Sequence, residues 1–156
     1  MLEPGRLISA NAGILLTEVI WVKPGGDGVP YVILDAAMND LARPALYEAW
    51  HDFVAVRPTG ARMTANLAGP ICETGDTFAL DREIDVVKRG DLAIFRSTGA
   101  YGASMASTYN SRDLVPEVLV NGDQYAVVAD RIPAGTVMAA ERVPDWLARV
   151  DEDQPA

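Results

Sequence analysis

The sequence has 156 residues, of which 49% are hydrophobic and 22% charged, so it excludes wholesale disorder and predicts one globular unit. Its 22 acidic and 13 basic residues give a formal net charge of -9, which argues against nucleic-acid binding and against docking on anionic lipid. The single cysteine, Cys72, and the single histidine, His51, exclude an intramolecular disulfide and argue against a Cys-rich or His-rich metal site, so no metal is expected.

The N-terminal half predicts a short helix, a hairpin and a second short helix. The first residues lack the layout of a signal peptide and no apolar run is long enough to span a bilayer, so we expect a cytoplasmic protein without a membrane partner. Residues 7–17 predict the first helix. A β-branched and aromatic run, a Pro-Gly-Gly turn and a second apolar run predict a hairpin over 19–34. Residues 37–50 predict a short helical segment that Pro44 breaks.

The C-terminal half predicts mostly short strands. Asn121 and Gly122 favour the positive φ angles of a tight turn and indicate a hairpin there. No internal repeat or linker interrupts the chain, and the acidic residues 149–156 are expected to be disordered. Many short strands separated by glycine and proline predict a mainly β domain, a β-sandwich or Greek-key-like barrel with short helical insertions. The predicted strands are 53–57, 64–69, 92–96, 117–121 and 125–129.

Two segments have the chemistry to bind an anion. In EPGR at 3–6, Gly5 lets a ligand approach the backbone and Arg6 adds a planar donor fork, although the segment also fits an ordinary exposed turn. Arg43 and Tyr47 are spaced i, i+4, so a helix would place both on one face, where they can hold a carboxylate. The alternative is that Tyr47 packs and Arg43 is a solvated charge.

Two further segments place reactive or aromatic side chains among small residues. Cys72 lies in GPICETGD, where a thiol can give or take a proton and Glu73 can tune it or bind an ammonium group; a structural cysteine is the alternative. Small residues flank Tyr101 and leave space for a ligand against the ring, unless they form a tight packing site around a buried tyrosine. His51 is expected at the surface or an interface, the 3 tryptophans in the core or at sheet edges, and residues 81–83 in a solvated turn.

In this order the segments resemble one family, the C-terminal part of diaminopimelate decarboxylase. This is a pyridoxal 5'-phosphate (PLP) enzyme of fold type III, with an alanine-racemase-like barrel and a β domain. The resemblance runs from Glu3 to about Leu147. It implies that residues 1–18 form the end of the (β/α)8 barrel with a connecting helix, and residues 19–148 the C-terminal β domain, followed by the acidic tail. The matching stretches are EPGR at 3–6, NAGILLTEV at 11–19, LDAAMNDLARPALYEAWH at 34–51, GPICETGD at 69–76, GAYGASMASTYNSR at 99–112 and PEVLVNGD at 116–123.

The activity that this resemblance implies is decarboxylation of meso-2,6-diaminopimelate to L-lysine and CO2, in lysine biosynthesis. In this family the lysine that binds PLP lies near the start of the N-terminal barrel, in a stretch that this chain lacks. Lys23 and Lys88 lie outside every matching stretch. We therefore expect a C-terminal fragment that is inactive alone. Its expected partners are the missing barrel, a small-molecule substrate and a second copy, in a homodimer with a shared active site.

The resemblance also implies a role for each site residue. Glu3 would face the pyridine nitrogen of PLP and keep the ring an effective electron sink. Cys72 would supply a proton after CO2 departs, and Cys72 and Glu73 would reach across the dimer interface to the partner's cofactor. The cofactor-binding residues would be Glu3, Gly5, Arg6 and Tyr101. The substrate-binding residues would be Arg6, Arg43, Tyr47, Glu73 and Tyr101, with Arg43 and Tyr47 on a carboxylate and Glu73 on the distal ammonium group.

Two other functions stay open. One is a related PLP decarboxylase acting on another basic amino acid or a polyamine precursor. Arg43 and Glu73 oppose it, because a substrate such as ornithine has no distal carboxylate to bind. The other is a non-catalytic β module for dimerisation or ligand binding, which the absent PLP lysine favours if this chain is the natural product.

Overall fold

The computed structural model describes residues 1–148, and β-strands are its main regular secondary structure. Six strands form one sheet and two form a separate hairpin. The strands are β1 Ile14–Lys23, β2 Tyr31–Leu34, β3 Phe53–Ala55, β4 Arg62–Ala68, β5 Thr77–Asp85, β6 Leu92–Arg96, β7 Glu117–Asn121 and β8 Gln124–Ala129. The α-helices are α1 Arg43–Tyr47, α2 Ala134–Met138 and α3 Asp145–Ala148, and 3-10 turns lie at Arg6–Ile8, Ala10–Ala12, Ala103–Met105 and Tyr109–Ser111.

The six-stranded sheet is nearly closed into a barrel. Its order is β3-β6-β1-β2-β4-β5, and every neighbouring pair is antiparallel except β2 and β4, which run parallel. The two edge strands approach one another, because the backbone N–H of Ala55 in β3 donates to the Asp85 carboxylate in β5 at 3.1 Å. Arg62 in β4 pairs with the same carboxylate at 2.8 Å. This carboxylate therefore joins the two edges where no backbone ladder connects them.

The interior of the barrel holds the hydrophobic core. Successive residues of a strand point to opposite faces, so alternate positions of β2, β3 and β6 are buried. The Phe95 ring in β6 packs between Phe53 and Phe78, with ring centroids 5.2 and 4.6 Å apart. Leu34 and Leu67 are fully buried in the same cluster. The prediction of a mainly β, barrel-like domain with short helical insertions is confirmed.

Most predicted strands are confirmed, and one strand was not predicted. The hairpin over 19–34 is the antiparallel pair of β1 and β2, and a tight turn with Gly122 at φ 63° joins β7 to β8. Residues 81–83 lie in β5 and not in a solvated turn, so that prediction is wrong. Charged residues interrupt the apolar pattern of β5, and Asp81 has a φ of 47° where the pairing with β4 shifts register.

Two helix predictions are wrong. Residues 7–17 do not form a helix, because the second 3-10 turn ends at Ala12 and β1 begins at Ile14. The chain is extended there since Ile14 pairs with Arg96 in β6, and tertiary pairing overrides local helix propensity. Pro44 does not break a helix: it lies in the first turn of α1, where its missing N–H would have no intrahelical acceptor.

Two expectations about exposure are also wrong. His51 is only 2% exposed, whereas Trp21, Trp50 and Trp146 are among the exposed large side chains of the single chain. The tail predicted at 149–156 lies outside the described residues, and the division into a barrel end and a β domain stays a prediction. None of the helices between residues 1 and 148 has the length and hydropathy to cross a membrane.

Candidate functional site

The N-terminal turn is fixed against the loop that follows β6. The backbone N–H of Thr98 donates to the carbonyl of Gly13 at 3.0 Å. Gly13 and Gly99 face one another so closely that a Cβ on either glycine would clash with the backbone of the other segment. The Arg6 guanidinium extends this contact, since Nη2 donates to the carbonyl of Ser97 at 2.9 Å. The EPGR segment predicted to bind an anion therefore lies beside the predicted tyrosine loop.

Tyr101 forms one wall of a cleft beside this turn. Its hydroxyl lies 3.4 Å from the position that a Cβ on Gly5 would take, so the glycine brings backbone close to the phenol. Its φ of 59° is unusual for an aromatic residue and stores backbone strain, a feature that often occurs at binding sites. An open cleft of about 350 Å³ lies between the two segments and is lined by Gly5, Ser9, Gly99 and Tyr101 among others.

The Arg43 guanidinium lies against the rings of Tyr47 and Tyr101, and Tyr101 in turn lines the cleft. The two α1 residues lie on one helix face as predicted, with Arg43 Cζ 5.5 Å from the centroid of the Tyr47 ring. The same guanidinium lies 5.8 Å from the centroid of the Tyr101 ring. Arg43 Nε is buried and has no hydrogen-bond partner among residues 1–148, and Arg6 Nε is in the same state. Arg43 is thus flanked by two aromatic rings, and Arg43 and Arg6 each keep a donor without a protein acceptor, which suits an anionic ligand.

His51 is buried, and the sequence reasoning missed it. Its Nδ1 is 3.0 Å from the carbonyl oxygen of Arg96. Burial is the largest cause that lowers the pKa of His51; the carbonyl contact raises it, and the charges of Arg6, Arg43 and Arg82 lower it further. A signal for burial was present in the sequence: alternate residues from 51 to 55 face the interior, so extending the period of β3 backwards predicts a buried ring.

Cys72 and Glu73 lie on the loop between β4 and β5. The buried Asp76 carboxylate holds this loop, because it accepts the backbone N–H groups of Ile71 and Met38, each at 2.7 Å. Burial raises the pKa of Asp76 and these two hydrogen bonds act against that rise. The Cys72 thiol is exposed. A loop held at its base therefore presents a free thiol at its tip.

Tyr109 joins this second group of side chains. Its hydroxyl donates to the Glu73 carboxylate at 3.2 Å, and this hydrogen bond raises the pKa of Tyr109. The sequence reasoning gave no separate role to Tyr109, although the residue lies in one of the matching stretches. Cys72, Glu73 and Tyr109 thus form one exposed cluster that can hold or pass a proton.

Arg112 ties the loop after β6 to the connection between β2 and α1. Its Nε donates to Asn39 Oδ1 at 2.9 Å and its Nη2 to the carbonyl of Asp35 at 2.6 Å. The guanidinium also lies 3.7 Å from the buried Asp40, a carboxyl whose pKa is raised chiefly by burial. Asn39 and Ser107 add a backbone hydrogen bond at 2.9 Å. These bonds fix Tyr101 and α1 relative to one another.

The structure brings together five of the eight predicted site residues. Glu3 is exposed and makes no side-chain hydrogen bond or ion pair within the described range. No hydrogen bond or ion pair in residues 1–148 joins Cys72 or Glu73 to the cleft residues. Gly5 and Tyr101 line the cleft, Arg6 bonds to the loop after β6, and Arg43 lies against the rings of Tyr47 and Tyr101.

The two lysines lie away from the cleft. Lys23 lies over the Tyr31 ring, with Nζ 5.5 Å from the centroid, and Lys88 pairs with Asp91 at 3.2 Å. Neither lysine contacts the cleft. In the part of the chain that the structure describes, no three or more His, Cys, Asp or Glu side chains come together where they could hold a metal ion.

These features define a class of protein: a barrel-like sheet domain with a cleft at its N-terminal turn, where Tyr101 forms one wall and packs against Arg43. Residues 7–99 match the sequence profile of the family described as pyridoxal-dependent decarboxylase, C-terminal sheet domain. The chain belongs to this family. The fold-type III assignment and the resemblance found in the sequence are thereby confirmed.

Individual relatives within this family include several diaminopimelate decarboxylases. The chain is 50% identical over 145 residues to a diaminopimelate decarboxylase of Zymomonas mobilis and 53% identical over 142 residues to one of Neisseria meningitidis serogroup A. These alignments cover 93% and 90% of this chain but only 34% of each relative. A crystal structure of M. jannaschii diaminopimelate decarboxylase in complex with L-lysine matches with a TM-score of 0.87 and 38% identity, over 94% of this chain and 33% of that one. The chain thus spans about a third of the length of the relatives that it matches.

Proposed function

We propose that this chain supplies the C-terminal part of a PLP-dependent decarboxylase that converts meso-2,6-diaminopimelate to L-lysine and CO2. The observation that carries this proposal is the contact of the Arg43 guanidinium with both Tyr47 and Tyr101, beside the turn that contains Gly5 and Arg6. A site of this composition suits an amino-acid carboxylate next to a phosphate. Relatives at 50% identity carry the name of this activity.

The residues at the N-terminal turn fit the anionic end of PLP. Gly5 has no side chain to fill the space beside the Tyr101 hydroxyl, and the buried Nε of Arg6 has an N–H without an acceptor in residues 1–148. A phosphate oxygen is a suitable acceptor for such a donor. We assign Gly5, Arg6 and Tyr101 to the cofactor, with Glu3 at its pyridine nitrogen. When bound, PLP supplies the electron sink for the breaking bond between Cα and the carboxylate.

Arg43 and Glu73 give the site its proposed substrate preference. Diaminopimelate has two amino-acid ends, so the end that does not react brings both a carboxylate and an ammonium group. Arg43 and Tyr47 bind the carboxylate, and Glu73 binds the ammonium group. A substrate without the distal carboxylate leaves Arg43 without its charged partner, at a cost of about 1.5–3 kcal/mol. This difference disfavours ornithine and other basic amino acids.

Cys72 is the proposed proton donor, and it acts in the active site of the partner protomer. Its thiol is exposed and lies in the Glu73–Tyr109 cluster, apart from the cleft. This separation supports a homodimer in which Cys72 and Glu73 complete the site of the partner. We assign the lysine that binds PLP to a barrel outside this chain. A free, reactive thiol fits the reducing conditions of the cytoplasm, where we place the enzyme.

A chimera tests this proposal directly. In it, this chain replaces the matching 34% of the Zymomonas mobilis relative, and the unaltered relative serves as the positive control. We expect the chimera to bind PLP, to dimerise and to release CO2 from meso-diaminopimelate with formation of L-lysine. A chimera that binds PLP and matches the relative in size, yet releases no CO2, contradicts the proposal and favours the non-catalytic module. Faster turnover of ornithine than of diaminopimelate contradicts the substrate assignment.

A further inference from the structure

A side-chain hydrogen bond joins the loop between β4 and β5 to the loop that follows β6. The Tyr109 hydroxyl donates to Glu73 Oε2 at 3.2 Å. Tyr109 is 46% exposed and Glu73 is exposed as well. Because water competes for both groups, such a bond contributes little to the stability of the fold. Its consequence lies in where it holds the Glu73 carboxylate.

The turn that carries Tyr109 is fastened on both sides to the segment that leads into α1. On one side, the backbone N–H of Ser107 donates to the carbonyl of Asn39 at 2.9 Å, and Asn39 Nδ2 donates to the carbonyl of Ser107 at 3.1 Å. On the other side, Arg112 Nε donates to Asn39 Oδ1 at 2.9 Å. The phenol is therefore held in place without the help of Glu73.

The backbone inside this turn is strained. Asn110 and Ser111 have φ angles of 58° and 55°, in the left-handed region that residues other than glycine seldom adopt. Strain of this kind persists only where the surrounding structure enforces it, and it often accompanies a functional contact. The side-chain contact that Tyr109 makes from this turn is the one with Glu73.

The backbone of Glu73 is fixed, but its carboxylate has few other partners. The carbonyl of Glu73 accepts the backbone N–H of Asp76 at 3.0 Å. Oε1 has a long contact of 3.5 Å with the backbone N–H of Gly75. No ion pair within residues 1–148 includes Glu73. The bond from Tyr109 is thus the shorter of the two that orient the carboxylate, and the negative charge stays available for a cation.

A phenol can orient a carboxylate without cancelling its charge. A neutral hydroxyl donates one hydrogen bond, whereas a lysine or arginine here would form an ion pair and compete with a bound cation. A carboxylate has about four lone-pair positions, so one bond to Tyr109 leaves space for an ammonium group. The same bond raises the pKa of Tyr109, so the hydroxyl keeps its proton and donates at neutral pH.

We propose that Tyr109 is a positioning residue that holds the Glu73 carboxylate in place for the ammonium group at the unreacted end of the substrate. Tyr109 acts through Glu73 and does not itself touch the substrate. The inference deepens the proposed function and rests on it for the identity of the cation. The hydrogen bond lies within one chain, so in the proposed dimer both residues reach the site of the partner together.

Titration of the tyrosine ring carbons by NMR tests the hydrogen bond in the chain itself. The signal of Tyr109 is identified by its loss in Tyr109→Phe. We expect it to titrate above free tyrosine, and Glu73→Gln should lower its midpoint by removing the charge that raises the pKa. Glu141→Gln is the matched control, since Glu141 is exposed and does not act on Tyr109. A midpoint that Glu73→Gln leaves unchanged overturns the proposal.

Kinetics of the chimera test the consequence for substrate binding. Tyr109→Phe should raise KM for diaminopimelate about threefold to tenfold, the range expected for the loss of one hydrogen bond, with kcat changed less. Tyr125→Phe is the matched control, because Tyr125 is exposed and its hydroxyl makes no hydrogen bond among the described residues. An unchanged KM in Tyr109→Phe contradicts the proposal.

A double substitution separates positioning from a merely structural role. If Tyr109 acts through Glu73, then Tyr109→Phe should add little to the KM of Glu73→Ala, because the carboxylate that the phenol holds is already gone. An equal increase of KM in both backgrounds contradicts the proposal. If the unaltered chimera releases no CO2, the proposed function fails, whereas the NMR titration still decides whether Tyr109 holds Glu73.

Discussion

Arg43 and Tyr101 lie far apart in the sequence, yet the Arg43 guanidinium is 5.8 Å from the centroid of the Tyr101 ring. Arg112 ties the same two parts of the chain together, since it joins the loop after β6 to the segment that leads into α1. The cleft is therefore built from parts of the chain that only the folded sheet brings together. Substitutions at Arg43 should affect ligand binding more than folding, since its Nε–H has no partner to lose within the described residues.

Arg43→Ala in the chimera should weaken substrate binding. The variant loses a charge-assisted contact to the distal carboxylate. This loss costs about 1.5–3 kcal/mol, so kcat/KM should fall about 10- to 150-fold. Arg43→Lys should recover only part of this loss, because an ammonium group lacks the planar fork that matches a carboxylate. Steady-state kinetics with diaminopimelate measure both effects, and Arg57→Ala is the exposed control. An unchanged kcat/KM in Arg43→Ala would contradict the assignment of the distal substrate carboxylate to Arg43.

Gly99→Ala should destabilise the chain and displace the N-terminal turn. A Cβ at this position meets the carbonyl of Ser9 and the backbone of Gly13, which cannot move without breaking the contact between the turn and the loop. Overpacking of this kind costs about 1–3 kcal/mol of unfolding free energy. Gly26→Ala is the matched control, because a Cβ there meets no atom within 4 Å. Chemical denaturation of the 156-residue chain measures both variants, and equal midpoints would contradict the prediction.

The sequence predicts most of the sheet because its strands carry local signals. β6 alternates apolar residues toward the core, and the β7–β8 hairpin has an Asn-Gly turn. The prediction of a helix at 7–17 is wrong because contacts outside that segment decide its structure. Its residues pair with β6, and Gly13 is needed for a close approach to Gly99, which no local pattern shows.

The candidate site is predictable in part for the same reason. The i, i+4 spacing of Arg43 and Tyr47 is local, so their shared face on α1 follows from the sequence. The contact between Arg43 and Tyr101 joins α1 to the loop after β6, so it is a property of the tertiary fold. The location of Cys72 and Glu73 outside the cleft likewise depends on how β4 and β5 are arranged.

Acidification should destabilise the fold through His51. Its pKa is lowered in the folded chain from the ordinary 6.5, so the unfolded chain binds a proton first as the pH falls. The stability that the neutral ring provides is present above 6.5 and is lost as the pH falls from 6.5 through the lower folded pKa. Denaturant unfolding at a series of pH values should show this slope in the wild-type chain. His51→Gln should lack it, and equal slopes in the two proteins would contradict the prediction.

Cys72→Ala should slow the chimera at the proton-transfer step. General acid catalysis contributes about 100-fold or more, so kcat should fall by about that factor while the PLP absorbance stays unchanged. The substitution leaves the loop intact, because Asp76 and not the exposed thiol holds it in place. Tyr109→Phe is a neighbouring comparison: it removes the hydrogen bond to Glu73 but keeps the thiol, so it should reduce kcat less.

The proposed dimer allows a second, independent test of the role of Cys72. The thiol is exposed in the single chain, so a disulfide reagent such as DTNB should modify Cys72 rapidly in the isolated chain under dilute conditions. In the chimera, Cys72 is proposed to lie in the partner's active site, where bound substrate should slow its modification. Slower modification with diaminopimelate than with the same concentration of a simple monocarboxylate such as acetate supports the shared site. Equal rates, together with an unchanged kcat in Cys72→Ala, would place the proton donor on another residue.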